Sequence, residues 1–470
     1  MGLFSFGKEK QLENFCAVIN QKFSHNETGV KSKWFRITSR VVLFTVASQT
    51  LLPSPVYAHA FGQLYTLPIP LWLYLWGAAA ALVISFLAIG FFAKESHISI
   101  PKINIKLNYW VLFFLKILSI LLFSLTILTG FFGSQSPVQN FAVNFFWIIF
   151  LLGFTYLTAI FGNIWKIVNP WKIAISWFGN IKPLFLYPQK LGYTPALIFY
   201  FLLIWLELLS GGLGIKPSFL AQILLFYSGI NLLGSLVFGV DNWFKYGEFF
   251  SVFFSLISRL SPFSKNGSLL KDECDHFTLL LFVLFMLSST AFDGFRSTII
   301  YFRYFFSFNP NILLIFAPML FLSLYLLAIF LMKILAQTKS SIKTLSLQFA
   351  FSLIPIALAY NIAHYYTLLL TQGQSIIPLL SDPFNKGLNL FGTLDYQTNV
   401  GSINAKFIWH SEVVVIIIGH ILAVFLAHMM ALKIFSRKQA LISQIPMLFL
   451  MVIYTITGLW ILSQPLTIGG

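Results

Sequence analysis

The sequence predicts an all-α, polytopic membrane protein, and three observations predict it. Of 470 residues, 58% are hydrophobic and only 9% are charged, against roughly 25% charged in soluble domains. Apolar runs of about 20 residues, the length that crosses a hydrocarbon core, recur from residue 68 to residue 464. Lys and Arg gather in alternate connections, as they do in short cytoplasmic loops.

The formal net charge of +16 follows from that third observation. The basic residues flank apolar spans, where they set orientation and meet anionic lipid. No basic stripe with interleaved aromatics occurs in a polar segment, which excludes nucleic acid as a partner and leaves the lipid bilayer. The two cysteines, Cys16 and Cys274, lie too far apart in the chain to suggest a disulfide framework.

About ten transmembrane helices are expected after an N-terminal signal peptide or anchor. Residues 1–58 form the leader: Lys31, Lys33, Arg36 and Arg40 precede the apolar run VVLFTVASQTLL (41–52), which Pro53 and Pro55 end. That run has the length of a signal h-region and is too short to span unaided. Val56-Tyr57-Ala58 fits a small-residue cleavage site, so the mature domain, 59–470, would begin with His59.

The spans fall near 68–93, 108–132, 138–161, 193–214, 217–240, 275–293, 309–335, 343–370, 408–433 and 444–464. With residue 59 outside, the outer loops hold only Lys216, Arg296, Arg303, Lys386 and Lys406, while Lys and Arg crowd the inner ones. The chain therefore reads as a multi-pass protein of the cytoplasmic (inner) membrane, with both mature termini outside. Two inner connections, 162–181 and 241–263, mix Trp with Lys. That mixture suits helices lying in the cytoplasmic interface, with Pro170 near the start of one.

Ionisable residues at bilayer depth cost about 2.5–3.5 kcal/mol on insertion scales and by default mark a site. Few occur here. Glu207 lies toward the outer half of its span, before Ser210-Gly211-Gly212, and Asp293 closes an outer end. His364 lies in the outer half of the eighth span, and the ninth carries His410, Glu412, His420 and His428. His420 and His428 are about 12 Å apart along a helix, too far to share one small ion. His410 and Glu412 differ by about 200° around the axis, so only one faces the interior with His420. His428 reads as a hydrogen-bonded packing residue of the kind common between membrane helices. A divalent metal, copper or zinc, would take His364 and one of His410 or His420 from the neighbouring span, together with Glu207, Asp293 or His59, whose free amine and imidazole chelate well. Two histidines from neighbouring helices would equally ligate a haem iron. A copper permease, a metallation factor for respiratory enzymes and a haem-binding electron-transfer subunit are thus the non-hydrolytic readings. The motifs of zinc proteases, serine hydrolases, P-loops and dinucleotide folds are absent from the sequence.

Four stretches carry a resemblance: HAFGQLYTLPIPLWLYLWG (59–77), GNIWKIVNPW (162–171), SDPFNKGLNLFGT (381–393), and GHILAVFLAH with SQIPMLFLMVIYTITGLWILSQ (419–464). Together they resemble the fenitrothion hydrolase-type membrane proteins of bacteria and archaea, over the whole of the mature chain. The chain departs from that pattern at Leu64 and Met429, where the family carries a basic residue and an acid. The resemblance implies a cleaved leader and hydrolysis of an apolar organophosphate triester at its P–O aryl bond. A metal on His59, His364 and His420 would activate water, and Glu207 or Asp293 would take the proton.

N-terminal sequencing of the membrane-purified protein is expected to return His59 as the first residue. A chain that still begins at Met1 contradicts the cleaved leader.

Overall fold

The computed structural model describes residues 67, 69–92, 108–179, 182–263, 273–399 and 404–464. Among them there is no strand, and ten helices are long and apolar enough to cross a membrane. We number the main helices α1 (Leu71–Phe92), α2 (Tyr109–Phe132), α3 (Phe141–Phe161), α4 (Gln189–Leu208), α5 (Pro217–Phe238), the shorter α6 (Phe249–Ser258), α7 (Phe277–Arg296), α8 (Pro310–Ala336), α9 (Ile342–Ser381), α10 (Ala405–Ile434) and α11 (Arg437–Leu462). Each expected span has its helix. α9 runs eleven residues past the expected 370, because it is broken: 3₁₀ turns at Ala350–Leu353 and Gln372–Ser375 interrupt it.

Burial sorts the helices. α2 is peripheral and buries only Thr126, Thr129 and Gly130, while its aromatic ends Tyr109, Trp110 and Phe132 stay exposed, as aromatic residues do at a membrane surface. α7 is central and buries nearly every residue from Leu279 to Thr290. Small residues bring backbones close, the usual membrane device. A Cβ on Gly419 of α10 would stand 2.2 Å from that of Ala359 of α9. Near the other end of this antiparallel pair, Tyr366 bonds Ser411 and the Ile408 carbonyl. These contacts fix the register between α9 and α10.

The two Trp- and Lys-containing connections reach further than the interface. Trp171 Nε1 donates to Ser228 Oγ at 2.8 Å, half-way along α5, and Ser119, mid-way along α2, donates to the Val168 carbonyl. Tyr227, also mid-α5, donates to Glu248 Oε1 at 2.8 Å. Both connections therefore return to the middle of the bundle. Exposed Trp177 remains at the outer edge of the first. Irregular backbone at that depth survives only where protein partners satisfy it.

Glu248 supplies that satisfaction. It is fully buried and caps α6 by accepting from the amides of Phe250 (3.0 Å) and Ser251 (2.7 Å). Trp165 Nε1 (3.4 Å), Asn169 Nδ2 (3.2 Å) and the Tyr227 hydroxyl complete the set. Asn169 in turn caps the short helix Pro170–Ser176 by accepting from the Lys172 amide. Aromatic rings close around this carboxylate, with Phe250 stacked on Trp171 at 5.7 Å.

Cys274, just before α7, is free and buried, and burial pushes its thiol up to about 12. At pH 8 it is almost wholly protonated and unreactive.

Glu248→Ala would remove a helix cap and the acceptor that three side-chain donors share, costing about 2–5 kcal/mol. Thermal unfolding in detergent is expected to show a drop of several degrees. An unchanged midpoint would mean that the two connections hold themselves in place.

Candidate functional site

A cavity of about 660 Å³ lies inside the bundle, walled by α3, α4, α7 and α9. Phe249 and Phe253 of α6 belong to its lining, directly after Glu248. The rim carries Pro137, Val138, Gly214 and Thr398, which belong to connections at the Lys-poor end of the bundle. Apolar side chains dominate the wall, with a few polar groups among them, as in small-molecule sites generally.

The walls depart from regular helix where they meet the cavity. Residues Phe145–Phe154 of α3 are wound as a π-helix, a rare geometry that is frequent at functional sites. This stretch and the preceding turn put Asn144, Trp147, Ile148 and Leu151 on the wall. Trp147 Nε1 donates to the Gly214 carbonyl at 2.9 Å, and Asn144 Nδ2 donates to the Gln372 carbonyl at 2.8 Å. The second bond satisfies backbone freed where α9 changes to a 3₁₀ turn. Asn144 Oδ1 is buried without a partner among the described residues.

Glu207 stands on this wall with an exposed side chain. It makes no hydrogen bond and no ion pair among the described residues. Just beyond it, Gly211 and Gly212 take positive φ (66° and 85°), the left-handed geometry that glycine adopts without steric cost. That turn carries Gly214 back to Trp147, closing the rim beside the carboxylate.

Tyr365 also lines the cavity, and its hydroxyl donates to Asp293 Oδ2 at 2.7 Å. The same oxygen takes His364 Nε2 at 2.9 Å. Asp293 and His364 thus stand one residue behind the wall, reached through Tyr365, with side chains 22% and 14% exposed. One turn on from Asp293, Arg296 Nη1 donates to the Leu208 carbonyl at 2.8 Å and ties α7 to the end of α4. The arrangement offers a free carboxylate on an apolar wall and a Tyr–Asp–His chain leading from the same cavity.

Of the residues singled out by sequence, Asp293 and His364 are brought into contact, and Glu207 lines the cavity that Tyr365 joins to them. His420 lies elsewhere. It is buried, with Nδ1 bonded to the Ile416 carbonyl at 2.9 Å and Nε2 unpartnered among the described residues. The α9–α10 register sets Ala359 opposite Gly419 and Tyr366 opposite Ser411. His420 is therefore about seven residues deeper than His364, roughly 10 Å along the helix. His59 lies outside the described residues, and among those described no three His, Cys, Asp or Glu side chains gather as a metal set. The choice between His410 and Glu412 is resolved: Glu412 is buried, whereas His410 turns to Tyr74 Oη at 3.3 Å.

Sequence reasoning did not find Tyr365, Asn144 or Trp147. Tyr365 had a signal, being a polar ring beside a membrane histidine. Asn144 had a weaker one, as an amide inside an apolar span. The π-winding has none.

Asp293→Asn would remove the charge that two donors share and is expected to cost about 1–3 kcal/mol, read as a lower unfolding midpoint in detergent. A midpoint equal to that of the unsubstituted protein would show that the neutral amide serves equally well. Comparison with family models, with curated proteins and with solved structures finds no match to this chain.

Proposed function

We propose that the cavity binds an uncharged, largely apolar ester and that the protein hydrolyses it, with Glu207 as general base. The substrate class is an organophosphate triester, cleaved at its P–O aryl bond, as the sequence resemblance implies. The observation that carries the reading is an unpartnered carboxylate on the wall of a mainly apolar cavity that Tyr365 also lines. Such a wall holds an apolar ester beside the carboxylate.

Glu207 takes a proton from a bound water whose oxygen attacks phosphorus. The P–O aryl bond breaks, and the departing oxygen takes the hydroxyl proton of Tyr365, giving a dialkyl phosphate and a phenol. The tyrosinate is reprotonated through Asp293 as His364 passes on its Nε2 proton and takes one from water at Nδ1, and Glu207 gives its own proton to water on product release. We place the protein in the cytoplasmic membrane with the cavity mouth outside, where the Lys-poor connections point by the positive-inside rule. An apolar triester partitions into the bilayer and reaches this mouth at raised local concentration.

Release of nitrophenolate from a p-nitrophenyl dialkyl phosphate by the purified protein tests this reading. Glu207→Gln is expected to lower kcat/KM by about 100-fold or more, the usual contribution of a general base. Tyr365→Phe is expected to lower kcat by about tenfold with little change in KM. Absence of turnover, or full activity in Glu207→Gln, contradicts the proposal.

A further inference from the structure

α10 carries three ionisable side chains at eight-residue intervals, Glu412, His420 and His428, and all are buried (2%, 3% and 1% exposed). From Glu412 to His428 is sixteen residue steps, about 24 Å of helix axis, against a hydrocarbon core of about 30 Å. Each keeps a polar atom without a partner among the described residues: Glu412 Oε2, His420 Nε2 and both ring nitrogens of His428. Trp409 Nε1 on the same helix and the Tyr360 hydroxyl on α9 are likewise unpartnered.

This is not how packing residues look. Polar side chains that glue membrane helices do so by hydrogen-bonding across them, and His428 instead meets the ring of Phe86 edge-on at 6.4 Å. Buried polar groups left unpaired by protein are the ones that hold internal water. Successive groups turn by about 80° around α10, so they follow a seam rather than a straight face. From Glu412 the seam passes Ile416, which with Tyr360 adjoins Gly458 of α11, then Gly419, against which α9 packs, and reaches Phe86 of α1 at His428. It lies apart from the cavity, whose lining includes none of these residues.

We propose that this seam conducts protons through the bundle. Glu412 takes a proton from the Lys-poor end and passes it along internal water to His420. The His420 Nδ1–H is held by the Ile416 carbonyl, so Nε2 carries the free lone pair and both accepts and releases the proton. His428 receives it next and gives it up at the basic end. Each 12 Å interval needs about three bridging waters at hydrogen-bond spacing. Every group ends in the protonation state in which it began. The other titratable or charged groups along the route are Tyr366 of α9 near Glu412, Tyr360 of α9 with His364 stacked on it at 6.4 Å and Asp293 beyond, the Tyr74–His410 pair at the mouth and Arg437 near His428.

The test is proton flux into liposomes that carry the full chain and an internal pH-sensitive dye, driven by a potassium diffusion potential. The unsubstituted protein is expected to acidify or alkalinise the lumen at least several-fold faster than protein-free liposomes. His420→Phe and Glu412→Gln are expected to return the rate to background, while Glu273→Gln, on an exposed connection, leaves it unchanged. His420→Gln, which keeps a polar side chain, and the unfolding midpoint of each variant separate lost conduction from lost folding. Flux equal to empty liposomes overturns the proposal, as does flux that survives in folded His420→Phe. Uptake of zinc or copper without proton movement overturns it in favour of a metal path. Ester hydrolysis is read separately, so failure here leaves that reading standing or falling on its own assay.

Discussion

In a bilayer no backbone polar group can turn to water, and this constraint governs the whole fold. The chain nevertheless sends two connections back to the middle of the bundle. One carboxylate makes that tolerable: Glu248 collects two backbone amides of α6 and donors from Trp165, Asn169 and Tyr227. Because Phe249 and Phe253 follow it directly and line the cavity, the same carboxylate that anchors the connections also positions part of the cavity wall. Where α3 and α9 abandon regular winding, Asn144 takes the Gln372 carbonyl and Trp147 takes that of Gly214. Two backbone carbonyls beside the cavity, of Gln372 and Gly214, are thus met by named side chains.

Three buried or wall-lining acids show three solutions to the cost of a carboxylate at depth. Glu248 is saturated by five donors and is structural. Asp293 shares one oxygen between Tyr365 and His364 and is poised between structure and chemistry. Glu207 meets no hydrogen-bonding partner among the described residues and faces the cavity. Satisfaction, more than location, separates these roles, since a group meant to meet a ligand must keep its hydrogen-bonding capacity unspent. By the same criterion Glu412, His420 and His428 stand out from the packing residues around them.

The helical membrane architecture was fully legible in the sequence, because apolar run length and the alternation of Lys and Arg are direct consequences of the bilayer. The membrane acids were equally visible, as Glu207 and Asp293 stand out against apolar neighbours. Their pairing was not. That His364 meets Asp293 rather than His420 depends on the register of α9 against α10, set by the Gly419–Ala359 contact, and hydropathy carries no register. The half-depth connections were legible only in part. Trp165, Trp171 and the lysines between them fit an interfacial helix by composition, and the deeper placement comes from Glu248, whose partners lie up to 83 residues away. The π-helix at Phe145–Phe154 has no composition of its own.

The most direct test of this account is the side from which the cavity is reached. In a Cys16→Ser background, where Cys274 is silent because its thiol is buried and protonated, cysteine would be placed at Thr290 or Ser375 on the cavity lining. A membrane-impermeant maleimide applied to intact cells is predicted to label both, Ser375→Cys faster than the deeper Thr290→Cys, and an apolar triester is predicted to slow both. Labelling only after the inner face is exposed would contradict an outward-open cavity and, with it, the proposed route of the substrate.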